Sequence, residues 1–229
     1  AIVAGEACPA NIISTHQRKL LNTELHNEYG PSESTVWATA ARLDDRKEHS
    51  FVSIGKAIGK VQTYVIDENK QVLQESEHSV VGELCLAGEQ LANGYLNNKA
   101  LTKETFISLS VTSKTKDKGN NFQSKQQVTV YLTGDKVRMH PCGSLEYIGR
   151  IDNQLKVRGF RIEPEEIEQF LLQQPGILEA AVGVEVQESS ADMTHRQLVV
   201  WYTVNAPAEI NIEQLKSLVS AHFPAYMNP

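Results

Sequence analysis

Gly149-Arg150-Ile151-Asp152-Asn153-Gln154-Leu155-Lys156-Val157-Arg158-Gly159-Phe160-Arg161-Ile162-Glu163 is the stretch where the pattern of this chain changes. Before it, apolar residues recur mostly at the spacing of strands. After it, residues 164–174 carry Ile167, Phe170 and Leu171 at helical spacing, and Pro175-Gly176 stops them. Two further strands are predicted near 178–186 and 197–204, separated by a polar loop at 187–194. A last helix is expected from Asn211, with Gln214 as its capping pair and Leu215, Leu218 and Val219 turned inward. Helix, strand, strand, helix makes a self-contained α+β unit. The boundary is therefore placed at Asp152, dividing the chain into residues 1–151 and 152–229. Across the start of the stretch, residues 144–149 and 154–157 are predicted to form a hairpin folded at Asp152-Asn153. It also sets four cations (Arg150, Lys156, Arg158, Arg161) within a dozen residues, a charge that suits a polyphosphate. The plainer reading is a solvated hairpin edge.

Working back toward residue 1, residues 128–131 have β character. Residues 108–128 are Ser, Thr, Lys, Asp, Asn and Gln with few apolar residues, and are expected to be a mobile surface loop. Glu83-Leu84-Cys85-Leu86-Ala87 is a short strand bounded by Gly82 and Gly88. Residues 36–66 alternate in the β manner up to the turn Asp67-Glu68-Asn69. A strand-like stretch runs from Leu25 to Gly30-Pro31. Residues 1–30 open with a strand into Gly5 and a helix entered at Pro9, where a missing N–H costs little. Ala1-Ile2-Val3-Ala4-Gly5 begins without methionine and reads like the middle of a strand.

Composition narrows the function. Of 229 residues 41% are hydrophobic and 22% charged, enough apolar material for a real core. A net charge of −6 argues against sequence-independent nucleic-acid binding. No apolar run reaches membrane-spanning length, and no basic-then-apolar leader opens the chain. Cys8, Cys85 and Cys142 are odd in number and far apart, neither a disulfide framework nor a zinc site. A reducing, cytoplasmic setting is the expectation.

Few motifs carry chemistry by themselves. Asn27-Glu28-Tyr29-Gly30-Pro31-Ser32-Glu33 puts an aromatic ring, a hydroxyl and an acid around a tight bend. Such a set can stack on a base, meet a phosphate and hold magnesium, but it also suits a solvated turn. In Tyr131-Leu132-Thr133-Gly134-Asp135, an Asp after Gly at a strand end can accept two hydrogen bonds from a ribose diol. Glu163, Glu165, Glu166 and Glu168 suggest paired carboxylates, yet acids around Pro164 in a first helical turn are better explained by the helix dipole. Gly55-Lys56-Ala57-Ile58-Gly59-Lys60-Val61 fails as a phosphate loop, being one residue short with Val61 where a hydroxyl should stand. The seven histidines have no ligand spacing, and nothing resembles a Ser-His-Asp set.

Taken in order, these segments resemble the later core motifs of nonribosomal peptide synthetase adenylation domains, in the superfamily of acyl-CoA synthetases and firefly luciferase. Asn27 to Glu33 is similar to N-x-Y-G-P-T-E. Gly82-Glu83-Leu84-Cys85-Leu86-Ala87-Gly88, with Leu91-Ala92-Asn93-Gly94-Tyr95-Leu96, is similar to G-E-L-x-I-x-G-x-x-x-A-R-G-Y-L. Tyr131 to Asp135 resembles Y-[RK]-T-G-D, and Gly149 to Glu163 resembles G-R-x-D-x-Q-V-K-I-R-G-x-R-I-E. Phe223-Pro224-Ala225-Tyr226-Met227-Asn228-Pro229 resembles L-P-x-Y-M-I-P. Asn93 and Leu132 depart from the usual Arg and Arg or Lys.

The resemblance implies a mixed α/β fold: the distorted barrel-and-sheet part of the large adenylation subdomain in residues 1–151, then a small α+β subdomain in 152–229. It implies ATP and Mg²⁺ as cofactors, an amino acid as substrate, and a carrier protein's phosphopantetheine thiol as acceptor. Tyr29 would stack on adenine with Asn27 nearby. Ser32 would face phosphate, and Glu33 would hold Mg²⁺. Asp135 would bind the ribose, with Tyr147 and Arg150 beside the nucleotide. Ile2, Ala4, Glu28, Val36 and Trp37 would line the amino-acid pocket. Asp152 would be the hinge, and Gly159, Phe160 and Arg161 would lie in the loop facing the phosphopantetheine arm. The family's phosphate loop and substrate-gripping Asp would precede residue 1, and its catalytic lysine would follow Pro229. The chain alone is therefore expected not to catalyse adenylation. Two alternatives stay open: an acyl-CoA or aryl-acid ligase of the same superfamily, and a non-catalytic remnant or binding module.

Overall fold

The computed structural model describes residues 1–43, 51–74, 77–117, 120–152, 154–157, 159–188, 194–205 and 211–229. Asn153, Arg158 and most of the loop expected at 187–194 lie outside them. The chain forms two compact units, Ala1–Ile151 and Asp152–Pro229.

The first unit runs β1 (Ile2–Ala4), α1 (Ala10–Lys19), β2 (His26–Tyr29), β3 (Thr39–Arg42), β4 (Ser53–Ala57), β5 (Val61–Ile66) and β6 (Val80–Gly88). It continues with α2 (Lys99–Thr105), β7 (Phe106–Asp117), β8 (Asn120–Met139) and β9 (Leu145–Arg150). One mixed sheet has the order β1-β2-β3-β4-β9-β8-β6-β5, with β7 added on β8. Its order does not close on itself, so the barrel element of the expected fold is replaced by an open sheet among the described residues. Among the described residues β1 and β2 pair in parallel, and the other pairings in this sheet are antiparallel.

Both faces of the central strands are covered, as the unbroken apolar run Leu84-Cys85-Leu86-Ala87 requires. Leu84 and Leu86 join Tyr29, Ala38, Ile54, Val61, Val65, Val137 and Leu145 in one core. Cys85 and Ala87 point the other way and join Ile66, Leu109, Val111 and Val130 in a second. Burial pushes the Cys85 thiol well above its ordinary range, which leaves it an inert core side chain.

The loop expected at 108–128 is instead a long antiparallel hairpin, β7 on β8, paired from Phe106↔Tyr131 to Asp117↔Asn120. Thr suits a pleated strand yet adds no apolar signal, so a polar run can still pair as a ribbon. At its base Leu109, Val111 and Val130 reach the core. The hairpin expected between 144–149 and 154–157 is likewise absent. β9 pairs with β8 and β4. In the second unit, β10 (Leu155–Val157) pairs with β11 (Phe160–Ile162).

That unit continues with α3 (Pro164–Leu172), β12 (Ile177–Glu188), β13 (Thr194–Val204) and α4 (Ile212–His222). The Asn211 side chain caps α4 by accepting from the Gln214 N–H. Ile162, Ile167, Leu171, Leu198, Val219 and Met227 form its core. Leu215 packs against this core, while Leu218, expected inward, is exposed. Its helical angle carries it past the narrow stripe that Leu215 and Val219 share at i, i+4 spacing.

Candidate nucleotide and metal site

Strand β2 alternates: Asn27 and Tyr29 are buried, and His26 and Glu28 are half-buried on the opposite face. The Asn27 amide donates to the Ser53 carbonyl at 2.8 Å, tying β2 to the start of β4. Tyr29 lies in the core, and its hydroxyl donates to Asp135 Oδ2 at 2.5 Å. Burial first, then the adjacent Asp135 charge, push the Tyr29 phenol well above its ordinary value, so it stays a donor.

Asp135 does not lie at a strand end, as its motif suggested, but inside β8. The pairing of β6 with β8 shifts between Glu83↔Lys136 and Cys85↔Leu132, so Thr133-Gly134-Asp135 bulges out of the ladder. Gly134 takes φ 68° there. The bulge is held on every side. The Thr133 hydroxyl donates to the Leu84 carbonyl at 2.7 Å and accepts from the Asp135 N–H at 3.0 Å. The Gly134 N–H donates to Glu83 Oε1 at 3.0 Å. Arg150 closes the group, its Nη1 donating to Asp135 Oδ1 at 3.0 Å and to the Thr133 carbonyl at 2.6 Å. Asp135 is 2% exposed, so this pair works in a low dielectric. Tyr147 packs against the core that contains Tyr29. Tyr29, Asp135, Tyr147 and Arg150 thus come together from three strands.

Beyond Tyr29, Ser32–Ser34 form a 3₁₀ turn, followed by Thr35 and Val36 at φ 58° and 72°. A β-branched residue there is strained and persists only where its surroundings enforce it. They do so from residues 90–95. The Thr35 hydroxyl donates to the Gln90 carbonyl at 2.7 Å, the Ala92 N–H to the Glu33 carbonyl at 2.8 Å, and the Tyr95 hydroxyl to Glu33 Oε1 at 2.6 Å. Burial and the Glu33 contact raise the Tyr95 phenol far above its usual range, so it too remains a donor. Sequence reasoning missed Gln90, Ala92 and Tyr95 as partners of this turn, although the A-x-G-Y-L motif marked the segment. Glu33 is buried, and Ser32 is exposed.

The register Ala4↔Glu28 puts Ile2, Ala4 and Glu28 on one face of the β1–β2 pair. Ile2 and Ala4 are exposed, and Glu28 Oε2 is enclosed with no hydrogen-bond partner among the described residues. Val36 and Trp37 are exposed on the loop after β2. The cation cluster divides: Arg150 lies in the first unit on Asp135, whereas Lys156 and Arg161 lie in the second. Arg161 Nε stands 3.6 Å from Glu163 Oε1. Glu163 stands at the N-cap position of α3 without a side-chain capping bond, Glu165 and Glu166 fill its first turn, and Glu168 accepts the Val182 N–H at 2.8 Å. None of them forms a carboxylate pair. Phe160, beside Gly159, stacks on Tyr226 at 4.3 Å. Asp152 Oδ1 accepts the Gln154 N–H at 3.1 Å. The failed phosphate loop is β4 and its turn into β5.

Residues 1–96 match the family model for AMP-binding enzymes. Bacitracin synthase 3 of Bacillus licheniformis is 38% identical over 99% of this chain, which spans 3% of that protein. Surfactin synthase subunit 3 of Bacillus subtilis (strain 168) is 38% identical over 93% of this chain, which spans 16% of it. Among solved structures, PA1221, a nonribosomal peptide synthetase protein containing adenylation and PCP domains, superposes with a TM-score of 0.77 at 28% identity, covering all of this chain and 41% of that one. The chain belongs to the AMP-binding enzyme family and is similar over nearly its whole length to segments of nonribosomal peptide synthetases. Among the described residues no helix is long and apolar enough to cross a membrane.

Proposed function

We propose that this chain is the part of an adenylation domain that holds ATP and one side of the amino-acid pocket, in a protein that makes an aminoacyl-AMP and passes it to a carrier-protein thiol. Ala1–Ile151 would belong to the large subdomain and Asp152–Pro229 to the small one. The observation that carries this reading is the buried Asp135, fixed by Tyr29 and Arg150 and therefore pre-oriented for a ribose diol. Tyr29 and Asn27 would border the adenine, with Tyr147 and Arg150 beside the nucleotide and Ser32 toward the phosphates.

Among the described residues no three His, Cys, Asp or Glu side chains gather into a metal cluster. A lone carboxylate at Glu33 fits magnesium, which commonly uses one or two carboxylates together with substrate phosphates and water. When bound, the ion would neutralise phosphate charge. Glu33 would hold it, while Ser32 offers a hydroxyl from the same turn.

The test is ATP–pyrophosphate exchange by the full-length protein across an amino-acid panel. Exchange only with carboxylic acids that lack an amino group would turn the reading to an acyl-CoA or aryl-acid ligase. No ATP binding at all would make it a non-catalytic module.

Glu28 sets the substrate expectation. An enclosed carboxylate oxygen needs compensation, which a cationic or hydrogen-bond-donating side chain would supply: arginine, lysine, ornithine, tyrosine or glutamine. Trp37 offers an aromatic face to a guanidinium. Glu28→Ala should cost about 1.5–3 kcal/mol for that substrate, roughly 10- to 100-fold in kcat/KM. Wild-type activation confined to leucine, valine or phenylalanine would end the idea.

Asp152 is proposed as the hinge between the two half-reactions, and Gly159, Phe160 and Arg161 as the loop that meets the phosphopantetheine arm. Asp152→Pro, which restricts φ, should impair thioester formation roughly tenfold more than adenylation, because the hinge rotation separates the two steps. Equal loss of both would point to misfolding.

A further inference from the structure

We propose that Tyr95 is a positioning residue for the Glu33 carboxylate, holding one oxygen so that the other is presented to a nucleotide-bound divalent cation. This rests on the reading of Glu33 as the metal ligand. A glutamate has three rotatable bonds, and a single-carboxylate metal site gains from having that freedom removed before the ion arrives. The structure removes it at both ends. The Ala92 N–H fixes the Glu33 backbone at 2.8 Å, and the Tyr95 hydroxyl takes Oε1 at 2.6 Å.

Tyr95 is itself anchored, which a casual surface contact would not need. Its N–H donates to Thr102 Oγ1 at 2.9 Å, and that hydroxyl donates to the Asn98 carbonyl at 2.8 Å, at the N-terminus of α2. Its ring meets Phe106 edge-on at 5.9 Å, and Phe106 lies 5.1 Å from Tyr131. Tyr131 is fully buried and two residues before the bulge that carries Asp135. One aromatic row therefore supports both the acid turn at Glu33 and the strand that carries Asp135. Tyr95→Phe would keep the ring packing and delete only the hydroxyl.

The experiment measures ATP binding by calorimetry to the full-length protein, with Mg²⁺ and with EDTA, for wild type, Tyr95→Phe, Glu33→Gln and the double variant. Wild type should bind ATP more tightly with Mg²⁺. Tyr95→Phe should lose about tenfold of that metal-dependent gain, the scale of a hydrogen bond to a charged group, and bind metal-free ATP within twofold of wild type. The double variant should be no worse than Glu33→Gln. A full metal gain in Tyr95→Phe beside a lost gain in Glu33→Gln overturns the role of Tyr95 and leaves the metal-ligand reading standing. A full gain in Glu33→Gln overturns both. Equal weakening of Tyr95→Phe with and without metal shows a merely structural hydroxyl and also overturns the proposal.

Discussion

Replacing Asp135 by alanine is expected to destabilise the first unit by about 3–5 kcal/mol, the cost of leaving a buried partner charge uncompensated. The Arg150 side chain is only 10% exposed, so water cannot replace the carboxylate that it loses. It retains the Thr133 carbonyl at 2.6 Å, a neutral acceptor and a weaker partner for a cation. The Tyr29 hydroxyl loses Asp135 Oδ2 as an acceptor as well. Urea unfolding followed by Trp37 fluorescence, in a Trp201→Phe background, reads the loss. A midpoint unchanged from wild type would show that the pair contributes nothing. The double variant Asp135→Leu with Arg150→Met separates architecture from binding, because removing both charges together is often nearly neutral. Its stability should recover by at least half the single-variant loss, while its ATP affinity stays low, down by the ~1–3 kcal/mol of a lost charge-assisted bond. Full ATP affinity in that double variant would remove Asp135 from the nucleotide site.

Gly55→Ala is expected to cost about 4 kcal/mol or more, in the range where a single change signals a specific steric failure. Gly55 has φ 85°, and a Cβ there would stand 1.7 Å from the Ala40 carbonyl oxygen and 2.0 Å from its carbon. Both belong to the backbone of β3, so no side chain can swing aside. The strands pair at Ala40↔Lys56 and Thr39↔Ala57, and β3 also pairs with β2 at Tyr29↔Thr39. Separating β4 from β3 would therefore disturb the strand that carries Glu28 and Tyr29. Gly149→Ala is the control: no heavy atom lies within 4 Å of a Cβ built there. It should change stability by less than about 1 kcal/mol. Comparable losses in both variants, read by equilibrium urea unfolding, would refute the steric account.

The sequence by itself determined which residues are shared with the adenylation motifs, the helix that starts at Pro164, the Asn211 cap, and the strand Leu84-Cys85-Leu86-Ala87. These are local signals, written in proline, a capping amide and an unbroken apolar run. The closing of Glu33 by Tyr95 was not legible, because 62 residues separate two side chains that meet only once the sheet brings them together. The same holds for Asp135, which looked like a turn residue after Gly134. Thr133-Gly134-Asp135 reads identically as a turn or as a bulge, and only pairing with β6 decides. The β7–β8 hairpin reads as a loop because its Ser, Thr, Lys and Gln run shows no apolar alternation, and only the pairing of the two strands reveals it. The stretch at 144–157 was mistaken for a hairpin because local pattern names strands but not their partners. Partners are chosen by the whole sheet: β9 ladders between β8 and β4, which carries Leu145 into the core, and β10 pairs with β11. The tertiary structure alone decided which donors surround each carboxylate, since a buried acid is oriented by groups that arrive from distant strands.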